Sequence, residues 1–172
     1  YFTSNREDGK AEVFRLVNRE SEPVTDTPGE YESWGPAFSA LGTLYFTSNQ
    51  EEGNAEIYRL VNREAEPVTD TPEGYESWGP AFSALGTLYF TSNQQGGKAE
   101  VFKLVNRDAQ HVTDTPGDFE SWGPVISGMN VYFTSNRTGV NAVYQLFPSK
   151  SVLNEGWTIY YLDERFPAYP LQ

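Results

Sequence analysis

The sequence Tyr-Phe-Thr-Ser-Asn decides the fold, because it occurs four times, at residues 1–5, 45–49, 89–93 and 132–136. The copies begin 44, 44 and 43 residues apart. The first two differ mainly by exchanges that keep size and polarity, such as Val13 for Ile57. A fixed period of this length indicates that one supersecondary unit has been duplicated along the chain.

Each repeat contains four short runs rich in aromatic and β-branched residues, which predict four strands. In one copy these runs are residues 80–83, 86–92, 99–105 and 111–113. Clusters of Gly, Asn, Asp and Pro separate the runs and supply the backbone conformations that turns need. No window shows a sustained apolar pattern at helical spacing, so we expect almost no helix.

Four antiparallel strands in about 40 residues, repeated in tandem, are typical of a β-propeller blade. The sequence therefore predicts an all-β protein with one domain, a four-bladed β-propeller of four-stranded antiparallel blades. Residues 166–171 align with residues 35–40, the innermost strand that the first copy lacks. We expect this C-terminal strand to pair with the N-terminal strands and close the ring. The predicted blades are residues 166–172 plus 1–27 (blade 1), 35–71 (blade 2), 79–115 (blade 3) and 123–162 (blade 4).

Three parts of the repeat carry a family resemblance: residues 80–92, with Pro-Ala-Phe-Ser, a Gly turn and Leu-Tyr-Phe-Thr-Ser; residues 55–60, Ala-Glu-Ile-Tyr-Arg-Leu; and residues 67–69, Pro-Val-Thr. Together they resemble the repeat of the TolB-like (WD-like) β-propeller family. Two features depart from that family. Residues 39–42, Ser-Ala-Leu-Gly, replace its usual Ser-Pro-Asp-Gly turn, and TolB itself has six blades rather than four. The resemblance implies a bacterial periplasmic or cell-surface binding module.

Composition narrows the classes of function. The formal net charge of -12 argues against nucleic acids and anionic membrane surfaces, and it suits cations or basic partners. The chain has no cysteine, which excludes disulfides and thiolate sites. It has no long apolar stretch for a membrane span. It has no initiator Met and no signal peptide, which fits a processed secreted protein or a fragment of a longer one.

One acidic residue stands four positions before the Pro that opens each innermost strand: Glu32, Glu76, Glu120 and Asp163. Innermost strands line the channel of a propeller, so four equivalent carboxylates would surround its axis. Such a ring needs a cation or raised pKa values to relieve the repulsion. Ca²⁺ is the natural occupant, because it prefers oxygen ligands. The alternative is that these acids cap turns or face solvent outside the channel.

Three tryptophans, Trp34, Trp78 and Trp122, stand two residues before the same Pro, and Arg165 takes this position in the last blade. Their aromatic neighbours Tyr31, Tyr75 and Phe119 could join them in presenting ring faces to a ligand. The sequence predicts that the tryptophans lie in loops. The alternative, which we favour, is that they pack against the next blade and fix its angle.

Glu12, Glu56 and Glu100 open the third strand of three repeats. The family pattern suggests that they pair with a neighbouring Arg or a backbone amide. The fourth repeat has Ala142 at this position, which excludes a four-fold role.

These features favour a binding protein. No nucleophile motif or irregular polar cluster breaks the repetition, and equivalent blades give equivalent environments, so we expect no enzymatic activity. The leading hypothesis is a secreted or periplasmic binding or scaffold propeller that engages a protein or peptide partner through one face, with Ca²⁺ as its one candidate cofactor. The alternatives are a multivalent carbohydrate-binding lectin, in which each blade repeats one weak site, and a self-assembling homo-oligomer.

Overall fold

The computed structural model of the protein describes residues 1–5, 9–50, 53–128, 130–148 and 157–160. This part of the chain contains 15 strands and no helix, which confirms the all-β prediction for it. It therefore contains no helix long and apolar enough to cross a membrane. The strands are β1 Phe2–Asn5, β2 Ala11–Val17, β3 Glu20–Pro23, β4 Ser33–Phe38, β5 Leu44–Ser48, β6 Glu56–Val61, β7 Glu64–Pro67, β8 Ser77–Phe82, β9 Leu88–Ser92, β10 Glu100–Val105, β11 Asp108–His111, β12 Ser121–Ser127, β13 Asn130–Ser135, β14 Ala142–Pro148 and β15 Trp157–Tyr160.

The strands form four separate antiparallel sheets, one per repeat, each in the order of the chain. Blades 2, 3 and 4 have four strands, β4–β7, β8–β11 and β12–β15, and the sheet of blade 1 has three, β1–β3. Residues 166–172, predicted to supply the missing innermost strand, lie outside the described residues. Closure into a four-bladed ring therefore stays a prediction.

In blades 1 to 3 the outermost strand begins closer along the sequence to the third strand than the pattern predicts. In blade 3 the predicted strand was 111–113, whereas β11 is Asp108–His111. The reason is a two-residue turn: Asn106 and Arg107 have φ of 52° and 73°, and Val105 pairs with Asp108 directly after it. Asparagine tolerates this left-handed conformation, and a two-residue turn of this kind matches the twist of antiparallel strands.

The innermost strands begin earlier than predicted. In blade 3 the strand starts at Ser77 instead of Pro80, because a bulge between Trp78 and Ala81 lets pairing with β9 continue to Ser77. Gly79 within the bulge has φ of 65°, a conformation that favours glycine. The bulge also lets the Gly79 N–H donate to Thr47 Oγ1 of blade 2 at 3.0 Å.

The core lies between consecutive blades. Ile57 of blade 2 packs with Leu88, Phe90 and Phe102 of blade 3, and all four are buried. Phe90 and Phe102 are stacked, with ring centroids 5.9 Å apart. The same arrangement recurs at the other two junctions: Val13 packs with Leu44, Phe46 and Tyr58, and Val101 packs with Val131, Phe133, Tyr144 and Leu146. Blades 2 and 3 thus use one side of the sheet for the preceding blade and the other side for the following one.

Candidate functional site

The predicted site residues that the structure describes lie at one end of the sheets, where loops lead from the last strand of one blade to the first strand of the next. We call this end the connecting face; it is formed by residues 24–34, 68–78 and 112–122. Each of these loops ends in the same Tyr/Phe-Glu-Ser-Trp sequence. Sequence repetition therefore places equivalent residues at each blade junction.

Glu32, Glu76 and Glu120 are anchored by their backbones. The Glu76 N–H donates to Asn93 Oδ1 at 2.7 Å, and the Glu76 carbonyl accepts from Ser92 Oγ at 2.8 Å. Glu32 makes the same pair of bonds with Asn49 and Ser48, and Glu120 makes it with Asn136 and Ser135. This explains why Ser-Asn stands at the end of the second strand in blades 2 to 4: the pair holds the loop that enters the blade.

The side chains of two of these acids reach the preceding blade. Glu32 Oε1 accepts from the Ala11 N–H at 3.0 Å, and Glu120 Oε1 accepts from the Ala99 N–H at 3.2 Å. Asp163 lies outside the described residues. Within the described ranges no group of three or more His, Asp or Glu side chains is placed to hold a metal ion. The proposal that the four acids share a Ca²⁺ ion therefore stays a prediction.

The tryptophans lie in strands, not in the loops that the sequence predicted. Trp34, Trp78 and Trp122 are the second residues of β4, β8 and β12, because the glycine bulge after each one lets the strand start earlier. All three are half-buried. They are thus partly packed and partly available to a ligand.

The structure brings two of these tryptophans together with one of the acids. Trp78 and Trp122 line a cavity of about 250 Å³ with Glu120, and Asn93, Gly97 and Ala99 complete its wall. Tyr31, Tyr75 and Phe119 are not part of this wall. Their backbone N–H groups close turns onto the carbonyls of Pro28, Pro72 and Pro116 at 3.0–3.3 Å. Arg165 lies outside the described residues.

Glu12, Glu56 and Glu100 are buried at the blade junctions, and each binds two threonines. The Thr115 N–H and Oγ1 donate to Glu100 at 2.9 and 2.7 Å, and Thr113 Oγ1 also donates to this carboxylate. Thr115 Oγ1 is in turn 2.6 Å from Ser121 Oγ, the first residue of blade 4. The predicted backbone amide is confirmed as one partner, and the threonine hydroxyls, which the sequence did not indicate, are the others. Lys98 Nζ lies 3.3 Å from Glu100, so the buried charge is paired.

A groove that the sequence did not indicate recurs between the outer parts of consecutive blades. Between blades 1 and 2 it has a volume of about 1000 Å³ and is lined by Asp26, Pro28, Leu60 and Arg63. Between blades 2 and 3 the equivalent residues Asp70, Pro72, Leu104 and Arg107 line a groove of about 460 Å³. Repeated polar grooves are compatible with the carbohydrate hypothesis, which stays a prediction.

Comparison with known proteins supports the fold. The structure matches that of TolB from Acinetobacter baumannii over 92% of this chain, with a TM-score of 0.69 and 17% identity. It matches the protein assigned as TolB from Agrobacterium tumefaciens over 84% of the chain (TM-score 0.63, 20% identity) and a puromycin-hydrolyzing peptidase from Mycobacterium tuberculosis over 87% (TM-score 0.60, 12% identity). The chain spans 40%, 57% and 24% of these three chains. No family model matches the sequence, and no curated protein matches it. The described part of the chain therefore has the TolB-like β-propeller fold that its repeat predicts.

Proposed function

We propose that this protein is a non-enzymatic, secreted or periplasmic binding propeller that engages a protein or peptide partner through its connecting face. The observation that carries the proposal is the open cavity that Trp78 and Trp122 line together with Glu120. Within this cavity we assign the contact to a lysine or arginine side chain of the partner.

The chemistry of the cavity selects a cation. Tryptophan is the best aromatic partner for a Lys or Arg side chain, and the attraction increases when the pair is removed from water. Glu120 supplies the opposite charge at the same place. A volume of about 250 Å³ is smaller than that of most cavities for drug-sized ligands, so it suits one side chain of a larger partner.

Two further features support a basic partner outside the cytoplasm. The net charge of -12 attracts basic proteins over distances of several ångströms and speeds their association. The resemblance to the TolB family supports the periplasmic or cell-surface location and the role as a binding module. The repeated and equivalent blade environments support a binding rather than a catalytic role.

Titration with the peptide acetyl-Gly-Gly-Lys-Gly-Gly-amide, followed by tryptophan fluorescence, tests this proposal. We expect saturable binding that weakens with added salt, and no binding of the peptide with Glu in place of Lys. Glu120→Gln should weaken binding about fivefold, because it removes the charge but keeps an oxygen that can accept from Ala99. Glu20→Gln, an equal change of charge at an exposed site on β3, is the matched control and should have little effect.

Two results would contradict the proposal. One is equal binding of the lysine and glutamate peptides, which would show that the cavity does not select charge. The other is an equal loss of affinity in Glu120→Gln and Glu20→Gln, which would show that only the overall charge of the protein matters.

A further inference from the structure

The loop that follows blade 3 binds a lysine ammonium with oxygen atoms. Lys98 Nζ donates to the carbonyls of Thr115 and Gly117, and the second of these bonds is 3.2 Å long. The same nitrogen lies 3.3 Å from Oε1 of Glu100, a buried carboxylate. Two carbonyls and one carboxylate therefore form a site for a positive charge beside the junction of blades 3 and 4.

Blade 1 has the same arrangement. Lys10 Nζ donates to the carbonyls of Thr27 and Gly29, and the second of these bonds is 3.3 Å long. This nitrogen lies 3.6 Å from Oε1 of Glu12, which is also buried. Because the contacts recur in two separate repeats, the repeat itself builds a site for a cation.

Blade 2 keeps the buried carboxylate of this site but has no lysine beside it. Asn54 stands at the position of Lys10 and Lys98. The buried Glu56 accepts from the Thr71 N–H at 2.7 Å and from Thr71 Oγ1 at 2.8 Å. No Lys, Arg or His in the described ranges forms an ion pair with this carboxylate. A buried charge is costly unless it is paired, so a cation from solution would stabilise blade 2.

Asn54 leaves the place of the ammonium group to another ion and adds an oxygen ligand. Its side chain is shorter than that of lysine, and it is half-buried. In the part of the chain that the structure describes, this side chain makes no hydrogen bond. Thr71 is held as Thr115 is, since each donates its N–H and its hydroxyl to the buried glutamate of its blade. The carbonyl of Thr71, the carboxylate of Glu56 and the amide oxygen of Asn54 are therefore the ligands that blade 2 offers.

The loop of blade 2 differs at one further position. Glu73 replaces the glycine that supplies the second carbonyl in blades 1 and 3, and the positive φ moves to Gly74, at 82°. The turn is therefore different, and we assign no role to the Glu73 carbonyl. The Glu73 side chain places a negative charge where the other two loops have a neutral residue, which favours a cation in this loop.

We propose that blade 2 binds a potassium ion at the place that a lysine ammonium takes in blades 1 and 3. The ion is monovalent, because it replaces one positive charge beside a single buried carboxylate. K⁺ matches an ammonium group in size as well as in charge, and carbonyl oxygens can replace its hydration shell. Ca²⁺ takes about six to eight oxygen ligands, more than these three residues offer. The site shares no residue with the four acids of the predicted Ca²⁺ ring.

Thermal unfolding of the wild-type chain in two salts tests this proposal. We expect the melting temperature in about 0.15 M potassium chloride to exceed that in tetramethylammonium chloride by about 2–4 °C. The two solutions have the same ionic strength, but tetramethylammonium is too large for the site. Asn54→Lys should abolish the difference, because its own ammonium group fills the site. Equal melting temperatures of the wild type in the two salts, or a rise that only Ca²⁺ produces, would overturn the proposal.

The reverse substitution in blade 3 is the second test. Lys98→Asn should lower the melting temperature in tetramethylammonium chloride and should gain more from K⁺ than the wild type does, because it creates a second site. Lys103→Asn removes an equal charge from β10 without these contacts, and its gain from K⁺ should match that of the wild type. Equal gains in the two variants, or a full gain from K⁺ in Asn54→Lys, would show that the cation binds elsewhere. Asn54→Lys decides the question even if Lys98→Asn does not fold, because it adds a contact and removes none.

Discussion

Replacement of Phe90 by alanine is expected to lower the free energy of unfolding by about 3–5 kcal/mol, the range for a buried aromatic truncated to alanine. Phe90 is fully buried between blades 2 and 3, where it packs with Ile57 and stacks on Phe102. The variant loses the favourable free energy of burying the ring away from water. It also loses the packing contacts of the ring, because alanine leaves a cavity in its place. Urea unfolding followed by circular dichroism measures the difference.

The repeat provides a matched control for this substitution. Phe2 stands at the same position of the first repeat, in the same Tyr-Phe-Thr-Ser-Asn sequence, but its side chain is 37% exposed. Phe2→Ala should therefore lower the free energy of unfolding clearly less than Phe90→Ala does. Both variants should be measured at a protein concentration where the chain is monomeric. Equal losses would mean that Phe2 is as well covered in solution as Phe90, and they would support closure within one molecule.

The fold was largely predictable because it depends on local pattern and period. Residues 86–92 and 99–105 were predicted as strands, and β9 and β10 lie within those ranges. The errors occurred where a special backbone conformation moved a boundary. The left-handed pair Asn106-Arg107 starts the outer strand earlier, and the bulge at Gly123 extends the inner strand through Trp122. Asn and Gly occur in many kinds of turn and bulge, so propensity alone could not locate these two boundaries.

The candidate site was predictable only in part, for a geometric reason. The sequence identified Trp78, Trp122 and Glu120 as candidates because they recur at equivalent positions. It could not show that two tryptophans 44 residues apart share one cavity, since that depends on the angle between consecutive blades. It also did not indicate that one oxygen of Glu120 accepts from the Ala99 N–H of the preceding blade. The period of the sequence gives the length of each repeat. It does not give the contacts between repeats, because these depend on how the blades pack.

Replacement of Glu100 by alanine is expected to lower the free energy of unfolding by about 3 kcal/mol, although the residue has no part in the proposed binding site. Its carboxylate accepts from the Thr115 N–H, the Thr115 hydroxyl and the Thr113 hydroxyl. All three donors are buried, so alanine leaves them without this acceptor in a region that water does not reach. Thermal and urea unfolding of the variant check the size of the loss.

Two comparisons separate this network from a general effect of charge. Glu66→Ala removes a carboxylate that is bound to Arg59 at 2.7 Å but is half-exposed, and it should change stability little. Glu100→Gln should cause a loss of stability between those of Glu66→Ala and Glu100→Ala. Its amide oxygen can still accept from the Thr115 N–H, but its amide NH₂ group faces threonine hydroxyls that donated to the carboxylate. A loss in Glu100→Ala no larger than that in Glu66→Ala would contradict the assignment. The buried carboxylate joins the threonines of blade 3 to Ser121, the first residue of blade 4, so its removal is expected to loosen the junction that positions Trp122.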